Sequence, residues 1–124
     1  KLAVNLPLMV YWGALGEAVA MAMKKGIPAE LALDVLADST GAIMPAKVRK
    51  GPICEMIETG ASAGSNFSLF NAIKDMKLMV SLAQANGISS PIIDAARLTA
   101  EGAAEDGWAA HDASLLAAWR GRKS

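Results

Sequence analysis

The sequence predicts an all-α fold, and three features of the chain support that prediction. Ala, Leu and Met are abundant, whereas aromatic residues make up 5% of the 124 residues, and this mixture favours helices over sheets. No segment alternates apolar and polar residues over the length of a strand, so we expect no sheet. A long apolar stretch near the start predicts one helix around which the others pack.

That first helix is expected to cover about residues 6–24, and it is apolar on every face with Glu17 inside it. A helix of this kind is either a central buried helix or a membrane span. The span is disfavoured because Glu17 would cost roughly 3 kcal/mol at the centre of a bilayer. The uncharged run over residues 6–16 is also shorter than the ~20 residues that a span needs. We therefore expect a central helix, held by its neighbours or by a second subunit, that either begins or bends at Pro7.

A second helix is predicted to begin at Pro28 and to end at residues 39–41, where Ser, Thr and Gly follow one another. Its predicted apolar face consists of Leu31, Val35, Leu36 and, at the margin, Leu33. Asp112 is expected to cap the last helix, which is followed by a basic tail. The elements in between and at the end are two short helical pieces at residues 45–50 and 52–58, a loop at 59–68, and helices at 68–86, 91–105 and 112–119.

Composition and charge exclude several classes of protein and site. Twelve acidic and twelve basic side chains balance, so the chain lacks the basic excess of a nucleic-acid-binding surface. Cys54 is the only cysteine and cannot form an internal disulfide, which predicts a reducing compartment, the cytoplasm. We interpret Cys54 as a small buried or half-buried side chain. The lone His111 does not make a metal site, which needs several ligands, so we expect no bound metal.

Asp75 lies off the polar stripe of its predicted helix. The residues that share the polar side are Lys74, Lys77, Ser81 and Gln84. Asp75 instead falls between Leu78, Met79 and Leu82. A carboxylate on an apolar flank must be paired, hydrogen-bonded or protonated, because a bare buried charge is too costly. Two interpretations stay open: a bond to a backbone amide or to Arg97, or a place in a site between two domains.

Several short segments are informative as an ordered set. The start KLAVN puts Lys1 and Asn5 one helical turn apart, and FSLFNAIKDMKLMV puts Phe67 eight residues before Asp75 in a Lys-Asp pair. EAVAMAMKKGI, SSPI and HDASLL fall between and after them in a matching order. Over essentially the whole chain this set resembles the C-terminal helical domain of the β-hydroxyacid dehydrogenases. That group includes 3-hydroxyisobutyrate dehydrogenase, tartronate semialdehyde reductase and the glyoxylate and succinic semialdehyde reductases.

The resemblance implies a helical domain like the C-terminal domain of 6-phosphogluconate dehydrogenase, spanning residues 1–124. It implies that Lys1 is the catalytic acid and base, and that Asn5, Phe67 and Asp75 bind the substrate. It implies that Lys74 contacts NADP or NAD, which would be bound mainly by an N-terminal Rossmann domain. The chain begins at Lys1 and enters its apolar stretch at once, so we interpret it as part of a longer protein that lacks this Rossmann half.

Three functions follow as expectations. The first is the substrate-binding and dimerisation domain of an NAD(P)-dependent oxidoreductase for small hydroxy acids or aldehyde acids, in a cytoplasmic homo-oligomer. The second is a helical dimerisation module with no chemistry of its own. The third is a membrane-associated helix bundle, which the position of Glu17 disfavours.

Overall fold

The computed structural model describes residues 1–62 and 64–123 of the chain, and most of them are helical. Within that part no strand is present, and Ser68 and Asp112 form one isolated antiparallel bridge. The all-α prediction is confirmed. The α-helices are α1 (Leu2–Lys24), α2 (Ala29–Ala37), α3 (Ala46–Thr59), α4 (Leu69–Ala85), α5 (Pro91–Ala103) and α6 (Leu116–Lys123), with a π-helical turn at Ala104–Trp108 and a 3-10 turn at Ala113–Leu115 between the last two.

The long helix α1 is central, as predicted, and packs against α2, α4, α5 and α6. Its approach to α6 depends on Gly16. A Cβ atom at this position would lie 3.2 Å from the carbonyl oxygens of both Leu116 and Ala117. Because Gly16 has no side chain, the two helices come close enough to bury Val19 completely.

Two prolines lie inside helices rather than at their ends. α1 begins at Leu2, so Pro7 lies within it, and α3 runs unbroken through Pro52 where the sequence predicts two separate pieces. Proline leaves the carbonyl four residues earlier without its helical donor. Here those carbonyls belong to Ala3 and Val48, both of which are exposed. Water can solvate them, so the helices tolerate the prolines.

Only one face of α1 is buried, although the sequence makes it apolar on every face. Its buried residues are Met9, Trp12, Gly13, Leu15, Gly16 and Val19. On the opposite side Met21 is 66% exposed, and near the start of the helix Val4 is 79% exposed. By length and composition α1 could cross a membrane, a test that core helices of soluble proteins also pass, and 33% of its most apolar window is buried. Its neighbours therefore hold it on one side only.

The predicted apolar face of α2 is wrong for two of its four members. Leu31 and Val35 are exposed, whereas the small residues Ala29 and Ala32 are buried together with Leu33. The contact with α1 and α3 selects the side on which the backbones approach most closely, and small side chains allow that approach. Leu31 and Val35 are left on the outside.

The last helix extends further than predicted and includes the basic residues assigned to a tail. Asp112 caps the preceding 3-10 turn, as predicted, by accepting a hydrogen bond from the Ser114 backbone N–H at 3.0 Å. Arg122 donates to the carbonyl of Ile57 at 3.1 Å, and Lys123 pairs with Asp106 at 3.3 Å. These two contacts stabilise the final turn of α6.

Candidate functional site

The first turn of α1 carries two of the predicted site residues. Lys1 is exposed, and its carbonyl accepts a hydrogen bond from the Asn5 backbone N–H at 3.1 Å, so the two residues lie one turn apart on one side of the helix. Asn5 is half-buried, and its side-chain amide makes no hydrogen bond to any described residue. The amide is therefore free to bind something outside the described chain.

The helix α4 carries Lys74 and Asp75 on different sides. Ser68 caps its start by accepting from the Asn71 backbone N–H at 3.2 Å. The ammonium of Lys74 lies 5.9 Å from the centre of the Phe70 ring on the exposed side. Asp75 is half-buried, at the edge of the buried face. The predicted polar stripe is confirmed, and Asp75 lies off it.

The carboxylate of Asp75 has no hydrogen bond or ion pair among the described residues. The pairing with Arg97 that the sequence left open does not form, because Arg97 binds Asp94 at 2.7 Å and Glu101 at 2.9 Å instead. No buried side-chain polar atom of the described residues lacks a partner, so the Asp75 oxygens must reach solvent. Asp75 is thus an open carboxylate with apolar neighbours, not a satisfied core group.

An open, mostly apolar groove of about 460 Å³ separates the start of α1 from α4. Its lining residues are Leu2, Ala3 and Leu6 of α1, Met79, Leu82, Ala83 and Asn86 of α4, and residues 88–93 at the start of α5. We call this groove the α1–α4 seam.

Helical geometry places Asp75 on the side of α4 that lines the seam. Asp75 is four residues before Met79 and seven before Leu82, so all three lie on one side of α4. Lys1 and Asn5 are next to the seam residues Leu2 and Leu6 in the sequence, but they lie on a different side of α1. Lys74 lies on the outer side of α4, and Phe67 comes before that helix begins.

Phe67 is half-buried and its backbone is held by the turn before α6. The Ala113 N–H donates to the Phe67 carbonyl at 2.9 Å, and the Leu69 N–H donates to the His111 carbonyl at 2.8 Å. These bonds account for the isolated bridge between Ser68 and Asp112. They fix the entry into α4 from a segment more than 40 positions away along the chain.

A polar cluster of Arg49, Asp112 and Ser114, of which only Ser114 is fully buried, adjoins this bridge, and we call it the Asp112 clamp. Burial alone would raise the pKa of the Asp112 carboxyl, but hydrogen bonds from Ser114 and the charge of Arg49 outweigh it and lower that pKa below its ordinary value. The sequence indicates Asp112 only as a helix cap. Nothing in it links Arg49 to Ser114, 65 residues later, so the clamp could not be found from the sequence.

A second groove, between α2 and α3, holds Cys54 among acidic side chains. Burial, followed by the hydrogen bond and charge of Glu58, raises the pKa of the Cys54 thiol to about 11. The charges of Glu30 and Asp34 act in the same direction. Within residues 1–62 and 64–123, no group of three or more His, Cys, Asp or Glu side chains has the arrangement of a metal site. Cys54 is half-buried, as predicted.

Comparison with known proteins gives one family and one fold. A family model described as "NAD-binding of NADP-dependent 3-hydroxyisobutyrate dehydrogenase" matches residues 1–119. The fold is similar to that of 3-hydroxyisobutyrate dehydrogenase from Salmonella typhimurium, with a TM-score of 0.81 and 22% sequence identity. That similarity covers 94% of this chain and 39% of the Salmonella chain. No curated protein matches this sequence.

Proposed function

This chain belongs to the 3-hydroxyisobutyrate dehydrogenase family, and we propose that it is the C-terminal helical domain of an NAD(P)-dependent oxidoreductase for small 3-hydroxy acids or semialdehydes. The observation that carries the proposal is that the Asn5 amide and the Asp75 carboxylate, both half-buried, have no partner among the described residues. Since no buried side-chain polar atom of those residues lacks a partner, these two groups reach solvent, and a ligand can bind them there.

Lys1 is proposed as the general acid and base. When a hydroxy acid is oxidised, the Lys1 amine would take the proton of the hydroxyl group while a hydride leaves the carbon that bears this group. In the reverse direction the Lys1 ammonium would return the proton to the carbonyl oxygen. The nicotinamide supplies the hydride acceptor or donor. Asn5, one turn away, would hold the reacting oxygen beside Lys1 by donating from its side-chain amide.

Lys74 and Asp75 of α4, and Phe67 just before this helix, have proposed roles around Lys1. Asp75, on the seam side, would orient the Lys1 ammonium or a substrate hydroxyl, since a carboxylate accepts charge-assisted hydrogen bonds. Lys74 has no carboxylate within ion-pair distance among the described residues, so its ammonium is available to a phosphate of the dinucleotide. Phe67 would form an apolar wall for the substrate. These three assignments come from the family pattern and fit the exposure of the side chains.

The complete protein is proposed to include an N-terminal Rossmann domain, since this chain spans 39% of the similar Salmonella dehydrogenase. The 124 residues contain no GxGxxG phosphate-binding turn, which supplies much of the affinity for a dinucleotide. We therefore expect this chain alone to be inactive and to bind NADP or NAD weakly. A cytoplasmic location fits the single free Cys54.

The decisive experiment compares Lys1→Met and Asp75→Ala in the full-length enzyme. Lys1→Met should lower kcat by roughly 10² to 10⁴, the usual contribution of a positioned acid and base, with little change in dinucleotide affinity. Asp75→Ala should lower kcat without lowering Tm, because this carboxylate makes no bond within the described chain. Steady-state kinetics and thermal melts on the same preparations provide both readouts.

Two control variants separate the site from the surface around it. Lys77→Met removes a lysine three residues after Lys74 that pairs with Glu101 at 3.6 Å, and it should leave kcat unchanged. Asp94→Ala removes a carboxylate that binds Arg97, and it should lower Tm slightly without affecting turnover. A normal kcat with a lowered Tm for Asp75→Ala would show that Asp75 is structural and would remove it from the site.

A dimerisation role is the second candidate, and a specific observation favours it. Met21 of α1 and Leu31 and Val35 of α2 are exposed apolar side chains, and Leu31 and Val35 line an apolar groove against Ala18 and Ala22 of α1. Exposed apolar patches mark interaction sites. The two functions are compatible in one domain. An oligomeric full-length protein with no turnover on hydroxy acids or semialdehydes would favour dimerisation alone.

A further inference from the structure

The Asp112 clamp is the most completely bonded polar cluster outside the seam. Ser114 is 3% exposed and is the only buried polar residue in the described part of the chain. Its hydroxyl donates to the Asp112 carboxylate at 2.6 Å and accepts from Nε of Arg49 at 2.8 Å. Nη2 of Arg49 lies 3.4 Å from the same carboxylate oxygen. α3 and the turn before α6 are thereby tied through one carboxylate.

The same carboxylate also reaches the segment that leads into α4. Ser65 donates to its second oxygen at 3.4 Å, and the Phe67 backbone N–H stabilises its charged form. The neighbouring Ala113 N–H holds the Phe67 carbonyl. The Phe67 carbonyl is therefore hydrogen-bonded to the residue after Asp112, and the Phe67 N–H interacts with the Asp112 carboxylate.

Arg49 and Asp112 are partly buried, with side chains 30% and 16% exposed, and an ion pair in such a place adds little to the stability of a fold. Removing two charges from water costs about as much as their attraction returns, so apolar residues of the same volume are often as good. A fully bonded polar cluster does, however, fix a single geometry. The geometry that the Asp112 clamp fixes is that of the chain entering α4 at Phe67.

We propose that Asp112 is a positioning residue, which holds the backbone of Phe67 so that its ring meets the substrate in one place. This inference rests on the proposed function, in which Phe67 is a wall of the substrate site. Asp112 itself touches no substrate. It acts through Phe67, so replacing Asp112 should weaken substrate binding and turnover only if Phe67 is displaced.

The test uses the full-length protein with Asp112→Asn, and with Asp106→Asn as a matched control. Asp106 is also a carboxylate whose pKa is lowered, first by its hydrogen bond from Trp119 and then by Lys123, but it lies in the π-helical turn after α5 and makes no bond to the α4 entry. Both variants replace a bonded carboxylate with a neutral amide of the same shape. Only Asp112→Asn should disturb Phe67.

The first readout is hydrogen exchange of the Leu69 and Ala113 amides, whose bonds join the α4 entry to the turn before α6. Both should exchange faster in Asp112→Asn than in the parent, and at parental rates in Asp106→Asn. Unchanged exchange in Asp112→Asn would overturn the proposal. This readout does not depend on enzymatic activity.

The second readout is a double-mutant cycle with Phe67→Ala. Asp112→Asn alone should lower kcat/KM roughly 10- to 100-fold, since a displacement of about 1 Å in a positioning group can cost ~100-fold. In the Phe67→Ala background it should have no further effect, because the two residues act as one. Additive losses, or normal kinetics with faster exchange, would overturn the positioning role. A parent protein without turnover would refute the proposed function, and the exchange comparison would still decide whether Asp112 holds Phe67.

Discussion

The two flanks of α1 are built from the same kind of side chain and end in opposite environments. On the flank that faces α6, which we call the closed flank, Gly16 lies against the backbone at Leu116 and Ala117, and Val19 is completely buried. On the opposite side, the open flank, Met21 is exposed. Between α1 and α2 the open flank continues into a shallow apolar groove of about 280 Å³.

The difference shows that hydrophobicity alone does not decide which side of a helix is buried. Both flanks are aliphatic, but the closed flank has a glycine where a neighbouring backbone can approach. The open flank has no partner in the described chain that fits it. An apolar surface of this extent on a folded domain is typical of an interface with another domain or subunit.

The largest effect should come from matched leucine truncations on the closed flank and beside the open one. Leu15 is 5% exposed, and Leu15→Ala should lower the free energy of unfolding by about 2–5 kcal/mol, because the cavity it leaves is only partly filled. Leu31, on α2, is 54% exposed, and Leu31→Ala should change it by no more than about 0.5 kcal/mol. Urea unfolding of the two variants of this chain measures both values. Equal losses would show that Leu31 is as well packed as Leu15, and that the flanks do not differ.

A smaller and more local effect is expected from two glycines on α1. Gly16→Ala places a methyl group 3.2 Å from two backbone carbonyls that cannot move aside, and it should destabilise the chain by about 1–3 kcal/mol. Gly13→Ala is the control, since its methyl group would lie 4.0 Å from the side chain of Leu116. It should stabilise the helix by up to ~1 kcal/mol through helix propensity. Thermal melts of both variants should therefore shift in opposite directions, and a shift of the same sign would contradict the close approach of α1 and α6.

The helices themselves could be predicted because their signals are local. Pro91 and the pair Asn86 and Gly87 mark ends that the structure places within one residue of the prediction. The failures came where an outcome depends on distant partners. Pro52 predicts the end of a helix, but α3 continues because the Val48 carbonyl, which loses its helical donor, is exposed to water. The sequence predicts that Leu31 is buried, but α2 buries its alanines instead because the backbones of α1 and α3 approach on that side.

The candidate site divides in the same way. The periodicity of α4 shows that Asp75 lies off the polar stripe, and the structure agrees. Arg97 instead binds Asp94 and Glu101, which are three and four residues away on α5. A pairing of Arg97 with Asp75 depends on how α4 and α5 pack together, which the periodicity of either helix does not show. The roles of Lys1, Asn5, Phe67 and Lys74 came from resemblance and remain predictions.

The open flank can be tested directly through self-association. We expect this chain to form dimers or larger assemblies at micromolar concentration. Met21→Glu should reduce the mass measured by light scattering and leave the free energy of unfolding within about 0.5 kcal/mol, because the side chain is already exposed. Leu98→Glu on α5 is the control, since Leu98 is also exposed but lies away from this flank. If both variants reduce the mass equally, association is a general property of exposed apolar residues and not of the open flank.

The smallest effect on the fold is expected from a test at Cys54 of α3, which is half-buried and so intermediate in exposure between the two flanks of α1. Its pKa of about 11 in the folded chain, against 9.0 for an unperturbed thiol, means that folding disfavours the thiolate. Since the thiolate is the reactive form, iodoacetamide at pH 8 should alkylate the folded chain roughly 100-fold more slowly than the guanidinium-unfolded chain. Because folding raises the pKa of Cys54, the contribution of this thiol to the free energy of unfolding is fully present below pH ~9 and is lost as the pH rises through ~11. Glu58→Gln removes one cause of the shift and should speed alkylation of the folded chain, whereas Glu105→Gln, at an exposed position in the turn after α5, should not. Equal rates in the folded and unfolded chains would show that the groove between α2 and α3 behaves like open surface.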